Sequence, residues 1–184
     1  HLTCGHCVDG NRFVAVNLID VAGLVPDAHK GKGLGNQFLD NLRQADAILH
    51  IIDASGGTDS EGNPVGIGNH DPEEDIRFLI FEMAMWVHGI LEKHWTRISR
   101  MSQGKGAAIQ QGIADVFTGL GITMEDIRDV ELNLKLDLVH AKFDQLLHLS
   151  AEIVKISKTM LVVGNKIDEA PEQLRSKLAA RDIA

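Results

Sequence analysis

The chain has 184 residues, 44% of them hydrophobic and 24% charged, which suits an ordinary soluble globular protein with one sizeable core or two small ones. Its formal net charge of -8 excludes a broad nucleic-acid-binding face, because phosphate contacts need clustered Lys and Arg, and no direct DNA binding is expected. No apolar stretch is long enough to cross a bilayer and no signal peptide is visible, so the expected setting is the cytoplasm, with no membrane partner.

The chain opens on His1 rather than Met, and a piece of a longer parent is expected. Cys4 and Cys7, the two cysteines, stand in the order CGHC. A dithiol redox site needs a strand before this motif and a helix N-terminus beneath it. The next residues, Val8-Asp9-Gly10-Asn11, are instead a turn signal, so a hairpin loop in a reducing compartment is the expectation. Arg12 to Ile19 is β-rich and delivers Asp20 at its end, as parallel α/β sheets deliver ligand-binding acids. The segment from Gly23 to Gly35 is glycine-rich, with Lys30 and Lys32 expected on a solvated loop face. Phe38, Leu39 and Leu42 then fall at helical spacing in a helix ending near Ala45. Ala47 to Ile52 is a continuous apolar run closing on Asp53, the pattern of a strand buried on both faces, with His50 as a packed core residue. Ser55 to His70 is polar and glycine-rich, hence a loop.

From Pro72 the texture becomes helical. Pro72 followed by Glu73, Glu74 and Asp75 is a strong helix start, with acids at the positive end of the dipole. Ile76, Leu79, Met83, Trp86 and Ile90 recur three and four residues apart, a stripe that packs between helices. Gln103 to Gly106 breaks the helix, and Thr123 offers the next N-cap. Leu132, Val139, Leu146 and Ile153 stand seven apart, with Leu136 and Phe143 between them. Two long heptad-like helices joined by a short helical piece are therefore expected, an antiparallel hairpin over 76–158. His88, His94, His140 and His148 show no facing i, i+4 pair of the kind a helical metal site presents. Thr159 to Val163 returns to strand composition, runs into Gly164-Asn165-Lys166-Ile167-Asp168, and is followed by a helix from Ala170-Pro171-Glu172. This order implies a mainly parallel α/β sheet with a helical excursion.

Two motifs carry chemistry. Guanine offers N1–H and N2–H2 on one edge, and the carboxylate of Asp168 can accept both, whereas adenine would set lone pair against lone pair. Asn165 would bond the polar edge of the base, and the stem of Lys166 would lie over its plane. In DVAG, Asp20 would hold a Mg2+ shell, usually through water, and the Gly23 N–H would meet a γ-phosphate. Each motif alone is a common turn; both in order, each after a strand, make a nucleotide site.

The segment DVAGLVPDAHKGKGLGNQFLDNLRQADAILHIIDAS, Asp20 to Ser55, resembles the Obg-related P-loop GTPases, most closely their YchF branch in its archaeal-looking form. The resemblance implies a partial P-loop GTPase core with a helical-hairpin, coiled-coil-like insertion: core at 1–75, insertion at 76–158, and base-recognition strand and helix at 159–184. It also implies GTP as substrate, Mg2+ as cofactor, and the ribosome or a translation component as partner. Asp20 and Gly23 carry over as the switch, and Asn165, Lys166 and Asp168 as the base-reading set. Some YchF members lose the Lys-Asp pattern and prefer ATP; this chain keeps it, so GTP is expected. Leu24 stands where Ras-like enzymes place the water-orienting glutamine, and a leucine cannot do that by hydrogen bonding, so hydrolysis is expected to be slow or assisted. No catalytic residue is assigned. No G-x-x-x-x-G-K-[ST] occurs in the chain, and the third base-reading loop and the TGS domain of the family would lie beyond Ala184. The competing class is a helical interaction module with a vestigial nucleotide site.

Overall fold

The computed structural model describes residues 7–8, 11–12, 14–21, 41 and 44–180. At the N-terminal end, β1 (Cys7–Val8) pairs antiparallel with β2 (Asn11–Arg12), Cys7 opposite Arg12 and Val8 opposite Asn11. Cys7 thus sits on the hairpin that the turn signal implies; Cys4 lies outside the described residues. The strand expected over Arg12 to Ile19 is not formed over 14–19. Residues 14–21 carry no ladder, and Val14, Val16 and Leu18 are largely exposed. β-rich composition gives only a preference: a strand needs a neighbour to take its N–H and C=O groups, and no such neighbour lies along this run among the described residues. Phe38, Leu39 and Leu42 of the next expected helix lie outside the described residues, but Asn41 and Gln44 are helical and the Ala45 N–H donates to the Asn41 carbonyl.

The parallel sheet is formed by β3 (Ala47–Asp53) and β4 (Thr159–Asn165), in register from Ala47 opposite Thr159 to Asp53 opposite Asn165. Strands so far apart in the chain can lie parallel side by side only because a long crossover joins them. Here the crossover is helical: α1 (Pro72–Ser102), α2 (Gly106–Val116), α3 (Met124–Leu134) and α4 (Phe143–Ser157). These helices close a core of their own around Leu79, Val87, Leu91, Ile113, Ile127, Leu149 and Ile153, with Ile48 and Met160 of the sheet packed against it. The expectation that β3 is buried on both faces does not hold. Ile52 is buried on the helical side, but Leu49 and Ile51 are more than half exposed, as is Leu161 across from Leu49.

Local chemistry explains where the helices begin and end. The Asp71 carboxylate accepts the Glu73 N–H at the start of α1, with Pro72 in the first turn, where its missing N–H is not needed. Gln103 ends α1 in the left-handed region (φ 48°). A reciprocal cap starts α3: the Asp126 N–H donates to the Thr123 hydroxyl and the Thr123 N–H to the Asp126 carboxylate. The second long helix, by contrast, is broken. Lys135 closes α3 in the left-handed region, and the Asp137 carboxylate caps a 3-10 turn over Leu138–His140 by accepting the Val139 N–H. That turn buries Leu138 and leaves Val139 exposed, and Leu132 of the expected heptad already faces solvent on α3. The hairpin-like pairing that remains is between α1 and α4, where Met83 and Val87 share a core with Leu146 and Leu149.

Candidate functional site

The parallel register sets the site. Asp53 and Asn165 end their strands as direct partners, and the Ala54 N–H donates to the Asn165 carbonyl at 2.9 Å. Beyond Asn165 the backbone turns sharply, with Lys166 in the left-handed region (φ 55°) and its N–H held by the Asn165 side-chain carbonyl at 3.0 Å. Two further turn bonds, Glu169 N–H to the Lys166 carbonyl and Ala170 N–H to the Ile167 carbonyl, curl the segment into α5 (Glu172–Ala179). Arg175 of α5 fixes that curl from outside by donating to the carbonyls of Asp168 and Ala170. The Asp168 carboxylate is exposed and accepts no hydrogen bond among the described residues, so both oxygens remain available to a pair of donors.

Lys166 does not project freely. Its ammonium donates to Asp53 Oδ2 at 2.8 Å. Asp53 is itself fixed from the loop that comes after β3: Oδ1 accepts the Ser55 hydroxyl at 2.6 Å and the Ser55 N–H at 3.0 Å, and Oδ2 accepts the Thr58 hydroxyl at 3.0 Å. Burial of the Asp53 side chain opposes its charge, but the bonds from Lys166, Ser55 and Thr58 outweigh it and hold the carboxyl at about 2. The same Asp53 bond raises the Lys166 ammonium above the usual lysine range.

The loop from Ser55 to Asp71 ties this cluster to α1. Gly56 sits at φ 62°, and a Cβ there would lie 2.2 Å from the His70 carbonyl oxygen, so only glycine lets the two ends of the loop meet. The His70 N–H donates to the Gly56 carbonyl, and the His70 ring bonds Asp75 of α1 at 2.9 Å. From the other side, Lys177 of α5 pairs with Asp71 and Glu73, holding Asp71 below the usual carboxylate range mainly through its own hydrogen bond.

The residues singled out in the sequence therefore divide. Asn165, Lys166 and Asp168 are brought to one turn at the end of the parallel pair. Asp20 is exposed and makes no hydrogen bond to them among the described residues, and Gly23, Leu24, Lys30 and Lys32 lie outside the described residues. Sequence reasoning missed Asp53, Ser55 and Thr58. The available signal was an apolar strand ending on an acid followed by two hydroxyl residues and a glycine pair.

A family model described as a 50S ribosome-binding GTPase matches residues 5–81, which span Asp20 and Asp53. A GTP-binding protein of Methanocaldococcus jannaschii is 44% identical over 162 residues, covering 88% of this chain and 40% of the relative. The crystal structure of a GTP-binding protein from Pyrococcus horikoshii superposes with a TM-score of 0.67 at 36% identity, over 77% of this chain and 41% of that one. The chain belongs to the Obg- and YchF-related GTP-binding proteins. A ribosome-binding ATPase YchF of Bacillus subtilis shares 38% identity over 92 residues, half of this chain and 24% of that protein. This member of the family spans about two fifths of the length of the archaeal proteins it matches. Mg2+, which the family implies, finds no cluster of three ligating side chains among the described residues. Asp20 offers a single exposed carboxylate. No helix is long and apolar enough to cross a membrane among the described residues.

Proposed function

We propose that this chain carries the switch and base-reading elements of a cytoplasmic GTP-binding protein that hydrolyses GTP slowly and couples its nucleotide state to the ribosome or a translation component. The observation that carries this reading is the turn at Asn165–Asp168, which leaves the Asp168 carboxylate open beside an anchored Lys166. A carboxylate so placed accepts the two donors of guanine in a charge-assisted pair and repels the adenine edge. In this reading Asn165 holds the turn and meets the base, Asp20 holds the Mg2+ water shell, and Gly23 meets the γ-phosphate. Residues 76–158 form an insertion in a core contributed by 1–75 and 159–184, and loop ordering around the γ-phosphate is the physical switch. Leu24 leaves the attacking water without a side-chain partner, which makes hydrolysis dependent on another group.

The test is a comparison of GTP and ATP binding by the full-length gene product. GTP should be preferred, and Asp168→Asn should move that preference towards xanthine nucleotides, whose donor pattern complements an amide. Equal affinity for GTP and ATP, or no shift in the variant, overturns the assignment of Asp168. The 184-residue chain alone should bind GTP weakly, because no phosphate-cradling motif occurs in it; a sub-micromolar dissociation constant overturns that. A second reading, a helical interaction module with a vestigial nucleotide site, draws on the self-contained core of α1–α4. It would be favoured by a full-length protein that engages its partner equally well with and without nucleotide.

A further inference from the structure

We infer that Asp53 is a positioning residue for base recognition, setting the stem of Lys166 in place before nucleotide arrives. The inference rests on the reading of Asn165–Asp168 as the base-reading turn and adds a residue outside that motif. Lysine has a long flexible stem, and ordering it over a base has an entropic cost on the order of 1–2 kcal/mol if it is free beforehand. Here that ordering is already present. The ammonium is bound at 2.8 Å to a carboxylate whose side chain is only 10% exposed. That carboxylate cannot swing away, because Ser55 and Thr58 occupy its remaining acceptor sites and its backbone is the register partner of Asn165. The Lys166 side chain stays 43% exposed, which leaves one flank open to a ligand while its tip is held. Asp53 touches no nucleotide in this arrangement; it acts through Lys166.

The experiment is a mutant cycle in the full-length gene product, with GDP and XDP affinities read by calorimetry and folding checked by thermal unfolding. Asp53→Asn should weaken GDP binding about tenfold, the scale of one charge-assisted contact. It should leave the GDP-over-XDP ratio intact, because Asp168 is untouched. In a Lys166→Ala background the same substitution should change GDP affinity less than about twofold, since its route of action is gone. A tenfold loss in both backgrounds would mean that Asp53 acts through general structure, and overturns the inference. So does an unchanged affinity in Asp53→Asn when Lys166→Ala alone weakens binding, an outcome that leaves the base-reading turn standing. If neither Lys166→Ala nor Asp168→Asn alters binding or selectivity, the base-reading turn itself falls and takes this role for Asp53 with it. Should Asp53→Asn fail to fold, Ser55→Ala and Thr58→Val each remove one bond to the carboxylate while keeping its charge. Each should weaken GDP binding about twofold to threefold, an effect absent from the Lys166→Ala background; no loss in either overturns the inference.

Discussion

The helical region and the sheet region are built on opposite terms. The helices of α1–α4 bury Leu91, Ile113, Ile127, Leu149 and Ile153 completely and draw their order from packing. The β3–β4 pair has one face packed on the helices and the other face, with Leu49, Ile51 and Leu161, open. Its Asp53–Asn165 end is ordered by polar bonds instead, through Asp53, Ser55, Thr58 and Lys166. Apolar packing is indifferent to small displacements of charge, whereas a hydrogen-bonded cluster holds particular atoms in particular places. Apolar packing and polar positioning are thereby kept to different regions of one chain.

Perturbations should separate the two. The largest effect is expected from Ile113→Ala, which empties a fully buried site in the helical core; urea unfolding should show a loss of about 3 kcal/mol or more. A loss below about 1 kcal/mol would mean that the helices are not the stable unit. Gly56→Ala strikes the other region, because its Cβ would collide with the His70 carbonyl at a positive φ. It should destabilise by about 2 kcal/mol and speed hydrogen exchange in the 55–71 loop before the helices respond. Acid should do the same more gently. The depressed Asp53 carboxyl contributes stability that is complete above the unfolded value of 3.8 and is lost as pH falls towards about 2. With Lys166 half-exposed, the contribution is about 1 to 2 kcal/mol, and Asp53→Asn should flatten the stability curve across that window. The smallest change is expected from Thr123→Ala, which removes one half of the reciprocal cap on α3 and should cost about 1 kcal/mol, seen as a modest fall in Tm.

Legibility in the sequence divides along the same line. Features written within a few residues were readable: the Pro72 start of α1, the Thr123 cap, the break at Gln103, and the strand that runs into Asn165. Features that depend on distant partners were not. The heptad from Leu132 to Ile153 gave no sign that Lys135 and Asp137 would insert a 3-10 turn and exchange Val139 for Leu138 in the core. The β-rich run after Arg12 announced a strand, but composition cannot supply the neighbour a strand requires. The Asp53–Lys166 pair joins residues 113 apart, and only the parallel register makes them adjacent. The family resemblance pointed to Asn165, Lys166 and Asp168 and not to the acid that holds one of them.

The base of α1 is pinned from two sides, by His70 on the loop after β3 and by Lys177 on the helix after the Asn165–Asp168 turn. With 31 residues, α1 is about 46 Å long at the usual rise per residue. Its pinned end therefore lies on the side of the Asn165–Asp168 turn. A tilt of about 5° at that end sweeps the far end through about 4 Å, enough to exchange one set of side-chain contacts for another. A displacement too small to notice among the polar bonds of Asp53 and Lys166 would become, at Ser102, the size of a side chain.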